Sequence, residues 1–105
     1  MLSARRGEVW HVDLGMAAKA RPAAVVSIAF LDNERALYAI IPHTTSLRGG
    51  RFEMIVDLPW LARGAFDVQG LRSIPGPVLL RRLGVLSQPS MDQIGQTMKL
   101  WLVLP

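Results

Sequence analysis

The feature that most constrains the fold of this chain is a change in the spacing of its apolar residues. Up to residue 86, apolar residues come in short runs separated by turn-forming residues, a pattern typical of β-strands. Beyond that point they recur at three- and four-residue spacing, which is typical of an amphipathic helix. A series of short strands followed by one packing helix predicts an α+β fold, with a small, strongly bent antiparallel sheet or small barrel. The periodic apolar residues of the predicted helix are Met91, Ile94, Met98, Trp101 and Leu102.

The strands are predicted from alternation and from apolar runs. In the first, Trp10, Val12 and Leu14 share one face. The second is a nearly continuous apolar run, which favours a strand buried on both faces. The predicted strands are residues 8–14, 22–30, 36–41, 52–58, 65–68 and 82–86.

The predicted helix has a clear beginning. Ser87 is the expected N-cap, because its hydroxyl can accept a hydrogen bond from an N–H of the first turn. Gly95 is expected to weaken the helix by about 1 kcal/mol relative to alanine. A close contact between helix and sheet at Gly95 would account for the glycine. With 105 residues and no repeat or linker, the chain is expected to form a single domain, residues 1–105.

Composition narrows the functional classes. The chain has no cysteine, which excludes disulfides and thiolate metal sites, and its two histidines have no acidic cluster beside them. We therefore expect neither a metal nor another cofactor. No apolar stretch is long enough for a membrane span or a signal peptide, so a soluble cytoplasmic protein is expected. The net charge of +4 and the excess of arginine favour nucleic acid or an acidic protein as partner.

Four motifs in order resemble the PemK/MazF toxins of bacterial toxin–antitoxin pairs. Residues 6–14 read RGEVWHVDL, which is similar to the first strand of that family. Residues 21–27 read RPAAVVS and resemble its "RP" strand. PHTTS at residues 42–46 resembles its "TS" motif, and RLGVLS at residues 82–87 resembles the block before its last helix. Each motif alone is weak, but their order and spacing cover nearly the whole chain.

The resemblance implies a fold, an activity and partners. It implies an SH3-like barrel, a homodimer and sequence-specific, metal-independent cleavage of single-stranded RNA. It also implies an antitoxin, for which the basic charge favours an acidic C-terminal segment. Carried over by motif, the catalytic arginine falls on Arg21 and the catalytic threonine on Thr45. The chain departs from the family in a short loop before "RP" and in lacking an arginine–aspartate pair within residues 66–70.

The chemistry of RNA cleavage gives these residues roles. Attack of the ribose 2′-OH on the neighbouring phosphate passes through a more negative phosphorane, which a fixed cation stabilises. Arg21 keeps its charge at neutral pH, and Pro22 biases it towards an extended backbone. Thr45 can donate a hydrogen bond to a phosphate oxygen, and Ser46 is a possible second donor. His43 is a possible acid–base group, although a strand-end histidine is commonly structural.

Further basic and polar residues are candidates for binding RNA. Residues 46–51 form a glycine-containing basic loop, in which Arg48 and Arg51 can hold phosphates. A solvated hairpin tip is the alternative for this loop. Lys19 and Arg72 are further phosphate candidates, and Gln69 is a candidate for reading a base edge.

Two other functions remain open. One is a gyrase-poison toxin with the same barrel, although the C-terminal residues 101–105, WLVLP, do not match the tail of those relatives. The other is a catalytically silent SH3-like module that binds RNA or protein. The three tryptophans, Trp10, Trp60 and Trp101, are expected in the core or at a dimer contact rather than as base-stacking platforms.

Overall fold

The computed structural model describes residues 3–15 and 19–105. These residues form an antiparallel sheet, two short 3₁₀ turns at Val68–Gly70 and Gly76–Val78, and one C-terminal helix, which confirms the α+β class. The strands are β1 Glu8–Asp13, β2 Ala20–Val25, β3 Leu37–Thr44, β4 Glu53–Val56, β5 Gly64–Asp67, β6 Arg72–Pro75 and β7 Leu79–Val85, and the helix is α1 Gln88–Leu102.

The strands pair in the order β4-β5-β3-β2-β1-β7, and β6 pairs with β3 off this path. Register shifts interrupt the pairing of β1 with β7, and such irregularities bend a sheet. No strand pairing joins β7 to β4 in the described ranges, so the strand path stays open there rather than closing into a hydrogen-bonded barrel.

Strand β3 lies at the centre and separates two apolar clusters. Ile41 and its partner Ala24 on β2 belong to the cluster under the helix, together with Phe66 and Ile94. Ile40, on the opposite face of β3, packs in a second cluster with Trp10, Tyr38 and Leu79 among others. The central strands are therefore buried on both faces, as the apolar run of the second strand predicted.

Several predicted strand bounds differ from the structure. Strand β3 runs to Thr44 rather than to residue 41, and β7 begins at Leu79 rather than at residue 82. Two further differences concern β2 and β6. The second strand ends at Val25 rather than at residue 30, because its pairing with β3 stops there. Beyond it, Ser27 accepts a hydrogen bond from the N–H of Ala39 at 3.0 Å, and Ile28 is exposed. Strand β6 was not predicted, since Ile74 is its only buried residue and gives little alternation.

The helix begins as predicted. The hydroxyl of Ser87 accepts a hydrogen bond from the N–H of Ser90 at 3.3 Å, and Met91 and Ile94 are buried. The expected close packing at Gly95 is wrong, because a Cβ there would meet no atom within 4 Å. In the described part of the chain, no helix combines the length and apolarity needed to cross a membrane.

Candidate functional site

A cleft opens where β2, β3, β5 and β6 approach one another. We call this cavity, which has a volume of about 350 Å³, the cleft. The side of the cleft is formed by strand ends and by the loop between β3 and β4. Its lining residues are Leu14, Arg21, Pro42, His43, Thr44, Ser46, Arg48, Glu53, Asp67, Gly70 and Arg72.

Strand register brings the polar residues of the cleft together. Ala23 on β2 pairs with Pro42 on β3, so continuing this register by two residues sets Arg21 opposite Thr44 on the same face. Arg72 on β6 pairs with Ile40, which also lies on that face of β3. The cleft is thus a polar continuation of the face that carries the second apolar cluster.

Glycine at residue 64 lets β5 come close to the end of β3. A Cβ on Gly64 would lie 2.1 Å from the carbonyl oxygen of Thr44, which no side chain can accommodate without moving the backbone. The close approach allows Ala65 to pair with Thr44 and Phe66 to pair with His43. Gly64 therefore helps to set the position of Thr44 in the cleft.

The basic loop is held by a carboxylate at the start of β4. Glu53 accepts hydrogen bonds from the N–H groups of Arg48, at 3.0 Å, and Gly49, at 2.8 Å. The hydrogen bond from the Arg48 backbone is the largest cause that lowers the pKa of Glu53, with further contributions from the Gly49 and Gly50 N–H groups and from the Arg48 charge. Glu53 is thereby kept ionised and orders the loop that carries Arg48.

The charge balance of the cleft is positive. Arg21, Arg48 and Arg72 line it together with Glu53 and Asp67, so three positive charges stand against two negative ones. All three arginines are exposed, which leaves the basic side of the cleft open to solvent. Asp67 accepts a hydrogen bond from the N–H of Gln69 at 3.2 Å. Guanidinium groups that share a cleft with a threonine hydroxyl suit a phosphate anion.

Comparison with known proteins shows the family of this chain. Residues 5–102 match the family of PemK-like, MazF-like toxins of type II toxin–antitoxin systems. The chain belongs to this family. No curated protein matches the sequence significantly.

Solved structures share the fold of this MazF-like chain. An endoribonuclease in complex with its cognate antitoxin from a mycobacterial species superposes with a TM-score of 0.83 at 22% identity, over 98% of both chains. A MazE–MazF complex from Deinococcus radiodurans gives a TM-score of 0.84 at 17% identity, over 100% of both chains. The Mycobacterium tuberculosis toxin MazF-mt6 gives 0.79 at 21% identity, over 93% of this chain and 98% of the other.

The MazF-like fold brings several of the predicted site residues together but separates others. Of the predicted site residues, Arg21, His43, Ser46, Arg48 and Arg72 line the cleft. Thr45 does not line it. Thr45 borders a different pocket together with Leu47, Ile55, Val56, Asp57, Arg63 and Gly64.

Thr44 occupies the place in the cleft that the motif comparison gave to Thr45. Its Oγ1 lies 3.0 Å from the N–H of Ser46, which donates a hydrogen bond to it. It is half-buried at the end of β3, whereas Thr45 is exposed. Asp67, Glu53 and Thr44 were all absent from the predicted site, and only their position at converging strand ends identifies them.

His43 lines the cleft, but its ring belongs to the opposite face of β3. The imidazole contacts Phe66 edge to face, with ring centroids 5.4 Å apart. Its Nε2 is buried and has no hydrogen-bond partner among the described residues. Burial lowers the pKa of His43, and a hydrogen bond with the backbone of Ala62 opposes this effect. These contacts favour a neutral packing residue over an acid–base group.

The other predicted RNA contacts lie around the cleft. Lys19 is exposed with a left-handed backbone, φ 54°, and does not line the cleft. The Cζ of Arg51 lies 4.7 Å from the ring centre of Phe52, and Gln69 lines a neighbouring pocket. In the described residues, no group of three or more His, Asp or Glu side chains is arranged to hold a metal ion.

Proposed function

We propose that this toxin is a metal-independent, sequence-specific endoribonuclease that cuts single-stranded RNA. The observation that carries the proposal is the cleft, which Arg21, Arg48 and Arg72 line together with Thr44. A mycobacterial protein with the same fold is an endoribonuclease. A site lined by cations and a hydroxyl supplies what 2′-OH attack on phosphate requires.

The reaction makes one bond and breaks one. The ribose 2′-oxygen bonds to the adjacent phosphorus and loses its proton, while the bond from phosphorus to the 5′-oxygen breaks and that oxygen gains a proton. The products are a 2′,3′-cyclic phosphate and a 5′-OH. DNA has no 2′-hydroxyl and therefore does not react by this route.

Arg21 and Thr44 are assigned to the reacting phosphate. The guanidinium of Arg21 stabilises the phosphorane more than the ground state, because negative charge builds up on the nonbridging oxygens. The hydroxyl of Thr44, which donates to the Ser46 carbonyl oxygen at 3.4 Å in the structure, would turn to donate to one of these phosphate oxygens, and Ser46 is a second donor at the same edge. Thr44 replaces Thr45 in this assignment, because Thr44 lines the cleft with Arg21.

Asp67 is assigned as the acceptor of the 2′-hydroxyl proton. Of the carboxylates in the cleft, Glu53 already accepts hydrogen bonds from the loop N–H groups, which hold its pKa below the ordinary value. Glu53 is therefore a poor base. Asp67 lines the same cleft and accepts one backbone N–H, that of Gln69, through Oδ1, so we assign its Oδ2 to the 2′-hydroxyl proton.

The remaining cations bind the flanking RNA. Arg48 and Arg72 line the cleft and are assigned to neighbouring phosphates, with Arg51 and Lys19 at its periphery. We further propose a homodimer and a cognate antitoxin, located in the cytoplasm. An acidic antitoxin segment that folds on binding would occupy the positive cleft in place of RNA phosphates.

Incubation of the purified protein with a long RNA in EDTA tests the activity. We expect cleavage at a recurring sequence, with 2′,3′-cyclic phosphate and 5′-OH ends identified by end-specific ligation. Intact RNA, or cleavage that requires added metal, would contradict the proposal. Binding of RNA without cleavage would instead favour the silent module, and inhibition of gyrase would favour the protein poison.

The partner is tested by competition. A short acidic open reading frame beside this gene is expected to encode the antitoxin. The C-terminal segment of the antitoxin should compete with RNA for the cleft. Arg21→Ala and Arg48→Ala should each weaken the binding of RNA and the binding of this segment. A ternary complex that leaves RNA affinity and cleavage unchanged would overturn this part of the proposal.

A further inference from the structure

A second pocket adjoins the cleft and differs from it in chemistry. Its volume is about 290 Å³. It shares Arg48, Glu53 and Asp67 with the cleft, so the two cavities meet along these residues. Its other lining residues are Gly50, Phe52, Gln69 and Trp101, and we call it the aromatic pocket.

The aromatic pocket has an indole open to solvent. Trp101, near the end of α1, is 41% exposed, and its ring centre lies 5.1 Å from that of Phe52 at an interplanar angle of 59°. Trp10, by contrast, is buried, and its Nε1 donates a hydrogen bond to Glu8 at 3.1 Å. The predicted core role thus fits Trp10, whereas the exposed surface of Trp101 is open either to the predicted dimer contact or to a ligand. An exposed indole surface supports stacking of nucleic-acid bases.

Gln69 adds a group that can read the edge of a base. It is exposed in the 3₁₀ turn after β5, and its own N–H is held by the side chain of Asp67. A primary amide offers one acceptor and two donor hydrogens, which match the hydrogen-bonding edges of bases.

The charge of the aromatic pocket selects the uncharged part of a nucleotide. The carboxylates of Glu53 and Asp67 both line it, against the single arginine Arg48. A phosphate would be repelled there, whereas the amino group of adenine, cytosine or guanine would find an acceptor. Uracil carries no such amino group.

We infer that the aromatic pocket binds one nucleobase next to the scissile phosphate and prefers an amino-bearing base over uracil. The base stacks on Trp101, its edge is read by Gln69, and its amino group faces the carboxylates. This inference rests on the proposed function, because the neighbouring cleft is taken to hold the phosphate. Trp101 and Gln69 are thereby specificity-determining residues rather than catalytic ones.

Cleavage of an RNA pool with randomised positions tests the inference. In Trp101→Leu and Gln69→Ala, we expect the preference at one position beside the cut to relax, with kcat/KM on the preferred RNA reduced about 10-fold. Trp101→Phe should restore part of the preference, because a phenyl ring still stacks. The matched controls are Leu100→Ala, an exposed apolar residue of the same helix, and Gln93→Ala, an exposed amide outside the pocket.

A binding experiment separates this inference from the proposed activity. Oligonucleotides with 2′-O-methyl riboses cannot undergo the attack, so their affinity is measured without cleavage. The wild type should bind amino-bearing bases better than uracil, and Trp101→Leu should lose that difference. If the wild type shows this binding but cuts no RNA, the proposed activity fails and the pocket assignment stands.

Other outcomes overturn the inference. Cleavage and binding with unchanged base preference in Trp101→Leu and Gln69→Ala would remove the base-binding role. If the dimer dissociates in Trp101→Leu and in Trp101→Phe alike, and the dimers that remain keep the wild-type base preference, Trp101 is a contact between copies of the chain. Loss of antitoxin binding alone would assign the pocket to the protein partner.

Discussion

Two regions of this protein bring arginines and carboxylates together, and they use them differently. At the start of β1, Glu8 is buried and accepts hydrogen bonds from the N–H of Arg5 at 2.8 Å, from Trp10 at 3.1 Å and from Arg82 on β7 at 3.1 Å. Burial raises the pKa of Glu8, but these hydrogen bonds and the Arg82 charge together hold it below the ordinary value. Here the charges join the first strand to the last.

In the cleft, the carboxylates are held by backbone N–H groups instead. Glu53 binds the loop N–H groups of Arg48 and Gly49, and Asp67 binds the N–H of Gln69. The side chains of Arg21, Arg48 and Arg72 are exposed and line the cleft. The comparison shows two ways to hold a carboxylate near arginines. Glu8 accepts a hydrogen bond from an arginine side chain and thereby joins two strands, whereas Glu53 and Asp67 accept hydrogen bonds from backbone N–H groups.

The largest expected effect is on the cleft. Arg21→Ala should lower the cleavage rate on the order of 10²- to 10³-fold, because it removes a donor that acts on the transition state. The thermal midpoint should stay near that of the wild type, since Arg21 is exposed. Arg35→Ala, an exposed arginine in the β2–β3 loop, is the control. Cleavage near the wild-type rate in well-folded Arg21→Ala protein would contradict the assignment.

The next effect should appear in stability rather than in cleavage. Glu8→Ala leaves the indole N–H of Trp10 and the N–H of Arg5 without their acceptor, so we expect a loss of about 1–3 kcal/mol in the free energy of unfolding. Urea titration measures it. Asp57→Ala is the control, because Asp57 forms only an exposed ion pair with Arg63 at 3.4 Å, and exposed pairs contribute about 0–1 kcal/mol. Equal losses in both variants would refute the comparison.

The neighbouring residues Thr44 and Thr45 test which threonine acts in the cleft. Thr44→Val should lower kcat/KM roughly 10-fold, which corresponds to one hydrogen bond to a charged oxygen. Thr45→Val should have little effect on chemistry if the cleft is correctly assigned. Both variants are isosteric and lie side by side, so steady-state cleavage of one RNA compares them directly. A larger loss in Thr45→Val would return the catalytic role to Thr45, as the motif resemblance implied.

Arg48 and Arg51 should affect binding more than chemistry. If both contact phosphates, neutralising each should lower the dependence of log affinity on log salt by about one unit of charge. Arg48 lines the cleft, whereas Arg51 lies over Phe52, so Arg48→Ala is the more direct test of a phosphate contact in the cleft. Affinity for RNA at several salt concentrations measures the slope. An unaltered slope in the double alanine variant would leave only a solvated hairpin tip.

The smallest effect concerns the buried histidine. The folded pKa of His43 lies below its ordinary value of 6.5, so the unfolded chain takes up the proton more readily. The contribution of neutral, buried His43 to the free energy of unfolding is therefore fully present above about pH 6.5. It is lost as the pH falls towards the pKa of His43 in the folded protein. Urea midpoints at pH 7.5 and 5.5 should differ less in His43→Leu than in the wild type. The same pH dependence in both would show that His43 does not titrate on unfolding.

Some of the fold follows from short-range pattern. The helix was predicted from the spacing of Met91 and Ile94 and from the cap at Ser87, because helix periodicity and capping act within a few residues. The first strand was likewise predicted to within one residue of its end at Asp13. Strand β6 and the end of β2 were missed, since both depend on pairing with β3, which lies far away in sequence.

The candidate site shows the same division. The sequence by itself determined the family, the central role expected for Arg21 and the basic loop around Arg48, because residue types in an ordered set of motifs carry that information. Only the tertiary structure decided that Thr44 rather than Thr45 lines the cleft and that His43 faces Phe66. Strand β3 is apolar on both faces, so alternation of polarity does not reveal which way each side chain points. Pairing with β2 and β5 sets that direction, and the physical reason is that a strand's two faces are distinguished only by what packs against them.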